Sequence, residues 1–372
     1  MTKPLRVMVD MSATLLHDGH IKLLKKANDI GTVIVGLTKD SQIRECKGYT
    51  PEICFESRAE ILNSIQYVSE VVEVNWNIDD ETLNKYDIDF LVHGDDNSNS
   101  VNPAKLISFP RTPGISSTMI RESSVRSIFS IRNKKLLLTP GPASIIPENA
   151  LGLIPVFGRG DQEFDDIHNK VLEWLKNISG QDEIVPLQGS ATLALEIALK
   201  TFISGKVLLI NTGYYSNRLK LLLNPDVTLE EINSDQLTNH DGNYDWIICT
   251  YTETSTAYKH DALTLIEAKN KFKSKLFMDA TGSIGLESNH EIADVLAFSS
   301  CKGLLGLTGA SFIGYKSFLS KIKNANNSFY MDIETHINRK VTAPYHSISS
   351  LYEIMKIHHI YHKRIEKSKR SV

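Results

Sequence analysis

Cysteine is scarce in this chain of 372 residues: Cys46, Cys54, Cys249 and Cys301 are its four thiols, widely separated and without a Cys-x-x-Cys pair. That spacing excludes a disulfide framework and the usual structural zinc site, and it points to reduced thiols in a cytoplasm. Long apolar runs are also missing. Nothing approaches the roughly eighteen residues that cross a bilayer, and the opening MTKPLRVMVDM has no apolar signal-peptide core, so a cytoplasmic protein with no membrane span is expected. Strong charge of one sign is absent as well. The formal net charge of -3 removes any general pull toward nucleic acid or anionic lipid, and the basic tail HHIYHKRIEKSKRSV is read as a solvated helix end.

What the chain does have is an ordinary globular balance, 41% hydrophobic and 23% charged, in a length that predicts two domains. Short β-branched runs alternate with amphipathic stretches from end to end, which predicts α/β architecture with mainly parallel sheets. Val7 to Val9, His20 to Asn28 and Thr32 to Leu37 read as a strand, a helix and a strand, a βαβ unit. Ser57 to Gln66 reads as a helix; Val71 to Val74, IDFLVHGDD and LISF read as strands, the last leading into the Ser- and Thr-rich helix start of RTPGISSTMIRES. Strand character fades between Ser123 and Lys135, and LLLTPGP is read as a new strand. The boundary is placed there, giving domains 1–132 and 133–372. The second domain repeats the rhythm through helix Asp165 to Ile178, EIVPLQ, helix Ala191 to Phe202, KVLLIN, DWIICTY, helix Ala262 to Phe272, KLFMDA, VLAFSS and SFIGY.

Two constellations carry chemistry. In LLHDGH, residues 15–20, His17 and His20 flank Gly19 at a strand-to-helix turn, where free N–H groups and the helix dipole favour a phosphate. Gly19 lets that phosphate approach the backbone. Alone, the two imidazoles are open to three readings: metal ligands, surface histidines, or donors to charge developing on phosphorus. No second cluster has metal-ligand spacing.

LLHDGHIKLLKKA, the Lys47-Gly48 pair, ESRAEILNSIQYVSEVVEV, VHGDDN and RTPGISSTMIRES stand in an order that resembles the cytidylyltransferase branch of the HxGH nucleotidyltransferases, over about residues 5–130. The resemblance implies a Rossmann-like domain in which His17 and His20 hold the CTP phosphates and Lys47 and Arg111 reach phosphate or acceptor. Ser116, Ser117 and Thr118 would cradle the triphosphate tail, while Gly94 and Asp95 would lie near the cytosine. Mg²⁺ would accompany CTP. Several relatives read Gly-Thr-Phe-Asp where this chain reads Met11, Ser12, Ala13, Thr14; the missing carboxylate at Thr14 leaves Asp10 as the expected metal contact.

The second constellation is QGSATLALE, TYTETSTA, FMDATGS and SSCKGL. Gly189, Ser190, Ala191 and Thr192 form another strand-to-helix anion cradle, Asp279 ends an apolar strand, and Lys302 sits among small residues, where a desolvated amine can form a Schiff base. LLLTPGPAS, QGSATLALE, YTETSTA, MDATGSIG, FSSCKGLLGLTGASFIGY and RKVTAPYH together resemble class V aminotransferases of fold type I, and within them the 2-aminoethylphosphonate-pyruvate transaminases, over about residues 135–360.

That resemblance implies pyridoxal 5'-phosphate on Lys302, with Asp279 keeping the ring nitrogen protonated and Ser190, Ala191 and Thr192 binding the phosphate. Glu253 and Thr254 would lie beside the ring, and Thr342 would contribute across a homodimer interface. Leu193 stands where relatives often have an aromatic residue. The small C-terminal domain of the family, with its substrate-binding arginine, is expected to be missing. Taken together, the resemblances imply a bifunctional enzyme. It would make 2-aminoethylphosphonate from phosphonoacetaldehyde and an amino-acid donor, then join it to CMP from CTP. The alternative is a cytidylyltransferase for ethanolamine phosphate, choline phosphate or glycerol 3-phosphate, fused to a scaffold-only transaminase fold.

Overall fold

The computed structural model describes residues 3–96, 98–132, 137, 139–319, 321 and 328–369. Contacts divide the chain into two compact units, Met1–Ile128 and Phe129–Val372. The sequence boundary at 132/133 adjoins residues 133–136, which lie outside the described residues.

The first unit contains β1 (Arg6–Met11), α1 (Asp18–Asn28), β2 (Thr32–Thr38), α2 (Asp40–Lys47), α3 (Phe55–Asn63), β3 (Glu70–Val74), α4 (Asp80–Lys85), β4 (Phe90–Gly94), β5 (Leu106–Phe109) and α5 (Ser117–Arg132). Its sheet has the order β3-β2-β1-β4-β5, all parallel. Burial on both faces explains the continuous apolar run in β1: Val7, Val9 and Met11 enter one core and Met8 the other. The strand order reverses beside β1, and the crevice outside the strands' carboxyl ends at such a switch point is where α/β sheets take ligands. LLHDGH spans the end of the loop that leaves β1 there and the first turn of α1.

The second unit contains α6 (Pro147–Leu151), α7 (Gln162–Ser179), β6 (Glu183–Gln188), α8 (Ala191–Phe202), β7 (Lys206–Asn211), α9 (Tyr214–Leu222), β8 (Thr228–Asn233), β9 (Trp246–Thr250), β10 (Thr252–Glu253), β11 (Tyr258–Lys259), α10 (Ala262–Phe272), β12 (Lys275–Asp279), β13 (Val295–Ser299), β14 (Ala310–Tyr315), α11 (Ile333–Ile337) and α12 (Tyr345–Lys369). Seven strands form a sheet in the order β6-β14-β13-β12-β9-β7-β8. The pairs from β13 to β8 are parallel, and β14 runs antiparallel to both neighbours. Alternate residues of β13 again feed opposite cores, Leu296 and Phe298 on one side, Val295 and Ala297 on the other. α/β architecture with mainly parallel sheets is therefore what both units have.

Part of the strand expected at LLLTPGP lies outside the described residues, at 136 and 138; residues 137 and 139–142 are not in a strand. Pro140 and Pro142 bring no N–H to a ladder, which is the physical reason.

Candidate active sites

In the first unit a cleft of about 480 Å³ opens at the carboxyl ends of β1 and β4. Its lining brings together Asp10, His17, Gly19, His20, Lys47, Gly94, Arg111, Ser116, Ser117 and Thr118. His17 is the N-cap of α1, and its backbone N–H donates to Nδ1 of His20 at 3.3 Å. That bond leaves the His20 proton on Nε2. Burial pulls the His20 pKa down to about 4, helped by the positive fields of His17 and Lys47, so the ring is a neutral donor around pH 7. The two rings lie 3.9 Å apart between centroids, and His17 Nδ1 is buried without a partner. A Cβ on Gly19 would meet the His17 ring at 3.0 Å, so glycine is what admits the imidazole there.

Lys47 ends α2, its amine 3.3 Å from Ser12 Oγ and 5.2 Å from the centre of the Trp76 ring. The loop it faces is pinned by Arg58, 1% exposed, which donates to the carbonyls of Ser12, Thr38 and Ile53 and pairs with Asp40. Arg58 lies inside ESRAEILNSIQYVSEVVEV, where the sequence pattern gives it no role of its own; a guanidinium has enough donors to tie several segments at once. Asp95 is exposed and outside the cleft lining, which Asp96 joins instead, 3.5 Å from Arg111. A Cβ on Gly94 would stand 2.7 Å from Asp96 Oδ1, so this glycine makes room for the carboxylate.

Asp10 accepts from Asn99 Nδ2 at 2.8 Å and lies 3.6 Å from His93 Nε2. Its other oxygen is buried and unpartnered, and burial raises its pKa against the pull of His93 and Asn99. Thr14, 2% exposed, accepts from Arg121 at 3.0 Å. The charge of Arg121 is met by both carboxylate oxygens of Glu52, at 2.5 and 2.8 Å, which holds Glu52 below the usual carboxylate range. A neutral residue at 14 thus faces an arginine whose partner comes from the loop after Lys47.

In the second unit Asp279 ends β12, 1% exposed, with Oδ1 accepting from the Thr281 N–H at 2.9 Å. Burial raises its pKa, opposed by Thr281, Arg218 and Lys302. Lys302 follows β13 in a tight turn, its amine 5.6 Å from the centre of the Tyr215 ring; Arg218 stands 4.9 Å from the same ring. Ser190 is the N-cap of α8 and makes no side-chain cap bond, which leaves its hydroxyl and the first N–H groups of Ala191 and Thr192 to an anion. Thr254 lies against the turn after Asp279, where a Cβ on Gly282 would meet its methyl at 3.2 Å. Glu253 is wholly buried and serves α9: it accepts from the N–H groups of Tyr215, Ser216 and Ser255 and from two serine hydroxyls. Thr342 is exposed, accepts from Arg159 at 3.2 Å, and borders a cavity of about 100 Å³ beside β6.

Comparison with known proteins follows the same division. Residues 13–123 match the family model "Cytidylyltransferase-like". A 2-aminoethylphosphonate-pyruvate transaminase of Pseudomonas aeruginosa is 28% identical over 248 residues, 59% of this chain and 67% of that protein. One from Pseudomonas putida is 27% identical over 252 residues, 60% and 68%. Among solved structures, an aspartate aminotransferase of Thermus thermophilus superposes with a TM-score of 0.53 at 21% identity, covering 63% of this chain and 72% of that one. An alanine-glyoxylate aminotransferase of Nostoc sp. gives 0.52 at 22% identity, covering 60% and 67%. The chain is an enzyme with a nucleotidyltransferase part and an aminotransferase part.

The aminotransferase part has the fold type I architecture of those structures, and such relatives imply pyridoxal phosphate. The residues fit that group: an amine in a turn, a buried carboxylate for a ring nitrogen, an uncapped helix start for a phosphate. Tyr215 and Arg218 escaped sequence reading because α9 begins at glycine and is capped by a residue 38 positions away; the phrase GYYSNR, between a strand and an amphipathic stretch, was the available signal. His93, Trp76 and Arg121 of the cleft escaped likewise. Among the described residues no group of three or more His, Cys, Asp or Glu is placed to hold a metal ion by itself, and no helix is long and apolar enough to cross a membrane.

Proposed function

We propose that the first unit transfers CMP from CTP to the phosphonate of 2-aminoethylphosphonate, releasing pyrophosphate, and that the second interconverts phosphonoacetaldehyde and 2-aminoethylphosphonate by transamination with an amino-acid donor. The observation that carries this reading is the occurrence, in one chain, of a cation-lined cleft around His17 and His20 and of the Lys302–Asp279 constellation in a sequence similar to transaminases of that phosphonate.

No protein nucleophile is needed in the cleft. A phosphonate oxygen attacks the α-phosphorus, the bond to the β-phosphate oxygen breaks, and pyrophosphate leaves. His20 Nε2–H and His17 donate to charge growing on the phosphoryl oxygens, Lys47 and Arg111 neutralise the phosphates, and Ser116, Ser117 and Thr118 at the start of α5 take the tail. Asp10 offers one buried free oxygen. Mg²⁺ is held mainly by nucleotide phosphates with one or two carboxylates, so a lone Asp10 oxygen suffices to anchor it, and the ion would offset the crowded charge.

Pyridoxal phosphate, bound to Lys302, would supply an electron sink for breaking the Cα–H bond of an amino substrate. With its amine freed by the incoming amino substrate, Lys302 would remove that proton and then return it, Asp279 would keep the ring nitrogen charged, Tyr215 would offer its ring face, and Ser190, Ala191 and Thr192 would hold the phosphate. Thr342 is exposed, as a residue offered to a second copy in a homodimer would be.

The test pairs two measurements. Pyrophosphate release with CTP is compared for 2-aminoethylphosphonate, ethanolamine phosphate, choline phosphate and glycerol 3-phosphate; a preference for the phosphonate is expected. Added pyridoxal phosphate is expected to give a visible absorbance band that Lys302→Ala abolishes. Preference for a phosphate ester, with no Lys302-dependent band, replaces the reading by that of a phosphate-alcohol cytidylyltransferase carrying a scaffold-only second unit.

A further inference from the structure

Among the buried titratable side chains of the second unit that serve no step above is His358 of α12, 5% exposed. Its Nε2 lies 2.9 Å from the carbonyl oxygen of Gly303, the residue after Lys302. A carbonyl only accepts, so Nε2 carries the proton and donates. Burial lowers the imidazole pKa, with His362 and His359 adding to the effect despite this bond. The ring approaches because glycine stands at 285, and glycine at 303 lets the lysine turn lie against Ile284 and Leu286. A Cβ on Gly285 would lie 2.8 Å from the Gly303 oxygen and 3.1 Å from His358 Nε2, and one on Gly303 would lie 2.3 Å from the carbonyl oxygen of Ile284. Trp174 meets the imidazole edge-on, ring centres 5.3 Å apart.

The bond closes a clasp around the lysine turn. On the other side of Lys302 the Cys301 carbonyl accepts from the Ala143 N–H at 2.7 Å, and the Lys302 carbonyl accepts from the Leu305 N–H at 2.9 Å. Asn149 of α6 donates to the Leu305 carbonyl and to Ser350 Oγ on α12, each at 3.0 Å. Leu305 has a φ of 58°, a left-handed conformation that costs a leucine roughly 1–2 kcal/mol and persists only where outside bonds hold it. With the carbonyls of residues 301 and 303 both pinned, the direction of the Lys302 Cα–Cβ bond is set.

We infer that His358 is a positioning residue for Lys302, acting through the Gly303 carbonyl. The inference rests on the reading that Lys302 carries pyridoxal phosphate. The full chain is compared as wild type, His358→Leu, which removes the donor, and His358→Gln, which keeps an amide N–H at similar reach. Two readouts are followed: the acetylation rate of Lys302 without pyridoxal phosphate, relative to exposed Lys273, by peptide mass spectrometry; and the pH midpoint of the visible band with pyridoxal phosphate bound. In His358→Leu the relative rate is expected to change about fivefold, the worth of one net hydrogen bond, with a moved midpoint, and His358→Gln restores both. A folded His358→Leu protein with wild-type rate and midpoint overturns the inference. If that variant does not fold, His358→Asn, whose amide is too short to reach the Nε2 position, takes its place under the same criteria. A wild type without any Lys302-dependent band sinks the cofactor reading alone, since the acetylation rates still decide the positioning.

Discussion

The two units each offer an anion the start of a helix, and they prepare it differently. At α5 the Ser116 hydroxyl already accepts from the Met119 N–H at 3.1 Å, and Ser117 donates to the Leu15 carbonyl at 3.3 Å. At α8 the Ser190 hydroxyl makes no such bond. The α5 cradle is thus stabilised before a phosphate arrives, whereas the α8 cradle waits for one to complete its cap. A triphosphate tail that leaves as pyrophosphate suits the first arrangement, because release exposes little. A phosphate group that stays through turnover suits the second. The surroundings follow the same contrast: the first site is an open cleft whose lining includes Lys47 and Arg111, and the second places a lysine amine within reach of a tyrosine ring and of the field of a buried carboxylate.

Five changes break or sharpen that contrast. The largest effect is expected from Arg58→Leu, which removes the donors to the carbonyls of Ser12, Thr38 and Ile53 and the ion-pair partner of Asp40. A buried carbonyl left without its donor costs about 1–3 kcal/mol, so the first unit should melt early in a denaturant scan while Lys302-dependent pyridoxal binding persists. Next, His20→Ala should lower kcat for pyrophosphate release by roughly 10²–10³ with small change in KM, the loss of a donor that acts on developing charge.

Smaller effects separate the cradles themselves. Ser116→Ala should destabilise the first unit by about 1 kcal/mol through the lost cap. Ser190→Ala should leave the melting temperature of the protein without pyridoxal phosphate unchanged and weaken cofactor binding, read by titration of the absorbance band; equal melting shifts in the two variants would contradict the distinction. The smallest effect is in pH dependence. His20 has its pKa lowered from 6.5 to about 4 in the folded cleft, so the unfolded chain binds the extra proton first. Its contribution to stability is complete above pH 6.5 and is lost as the pH falls to about 4. His20→Asn should reduce the slope of the stability-pH curve in that window without abolishing it, because His260 and His290, also lowered from 6.5 to about 4, give slope over the same range.

Much of the architecture was legible where local pattern and burial agree. EIVPLQ, KVLLIN, LISF and the helices Ala191–Phe202 and Ala262–Phe272 have the bounds their periodicity predicts, since short apolar runs between polar breaks and amphipathic helices write their period into the chain. α9 was not legible: its N-terminus is capped by Glu253 from a distant strand, and Glu253, expected beside a cofactor ring, is occupied by that task. Nor was the role of Arg58 readable, because an arginine in an amphipathic helix ordinarily faces water. Thr14 belongs with these. Its neighbours in sequence do not reveal that Arg121 and Glu52 meet beside it.

By itself, the sequence determined that the chain alternates strands and helices in two parts, and that His17, Gly19 and His20, and then Ser190, Asp279 and Lys302, fall at strand ends and helix starts, because periodicity and turn chemistry are local. Only the tertiary structure decided which tautomer His20 holds, that Asp96 rather than Asp95 faces the cleft, that Tyr215 stands beside Lys302, and that His358 pins the turn carrying that lysine. These depend on burial and on contacts between residues distant in the chain, which local pattern does not encode.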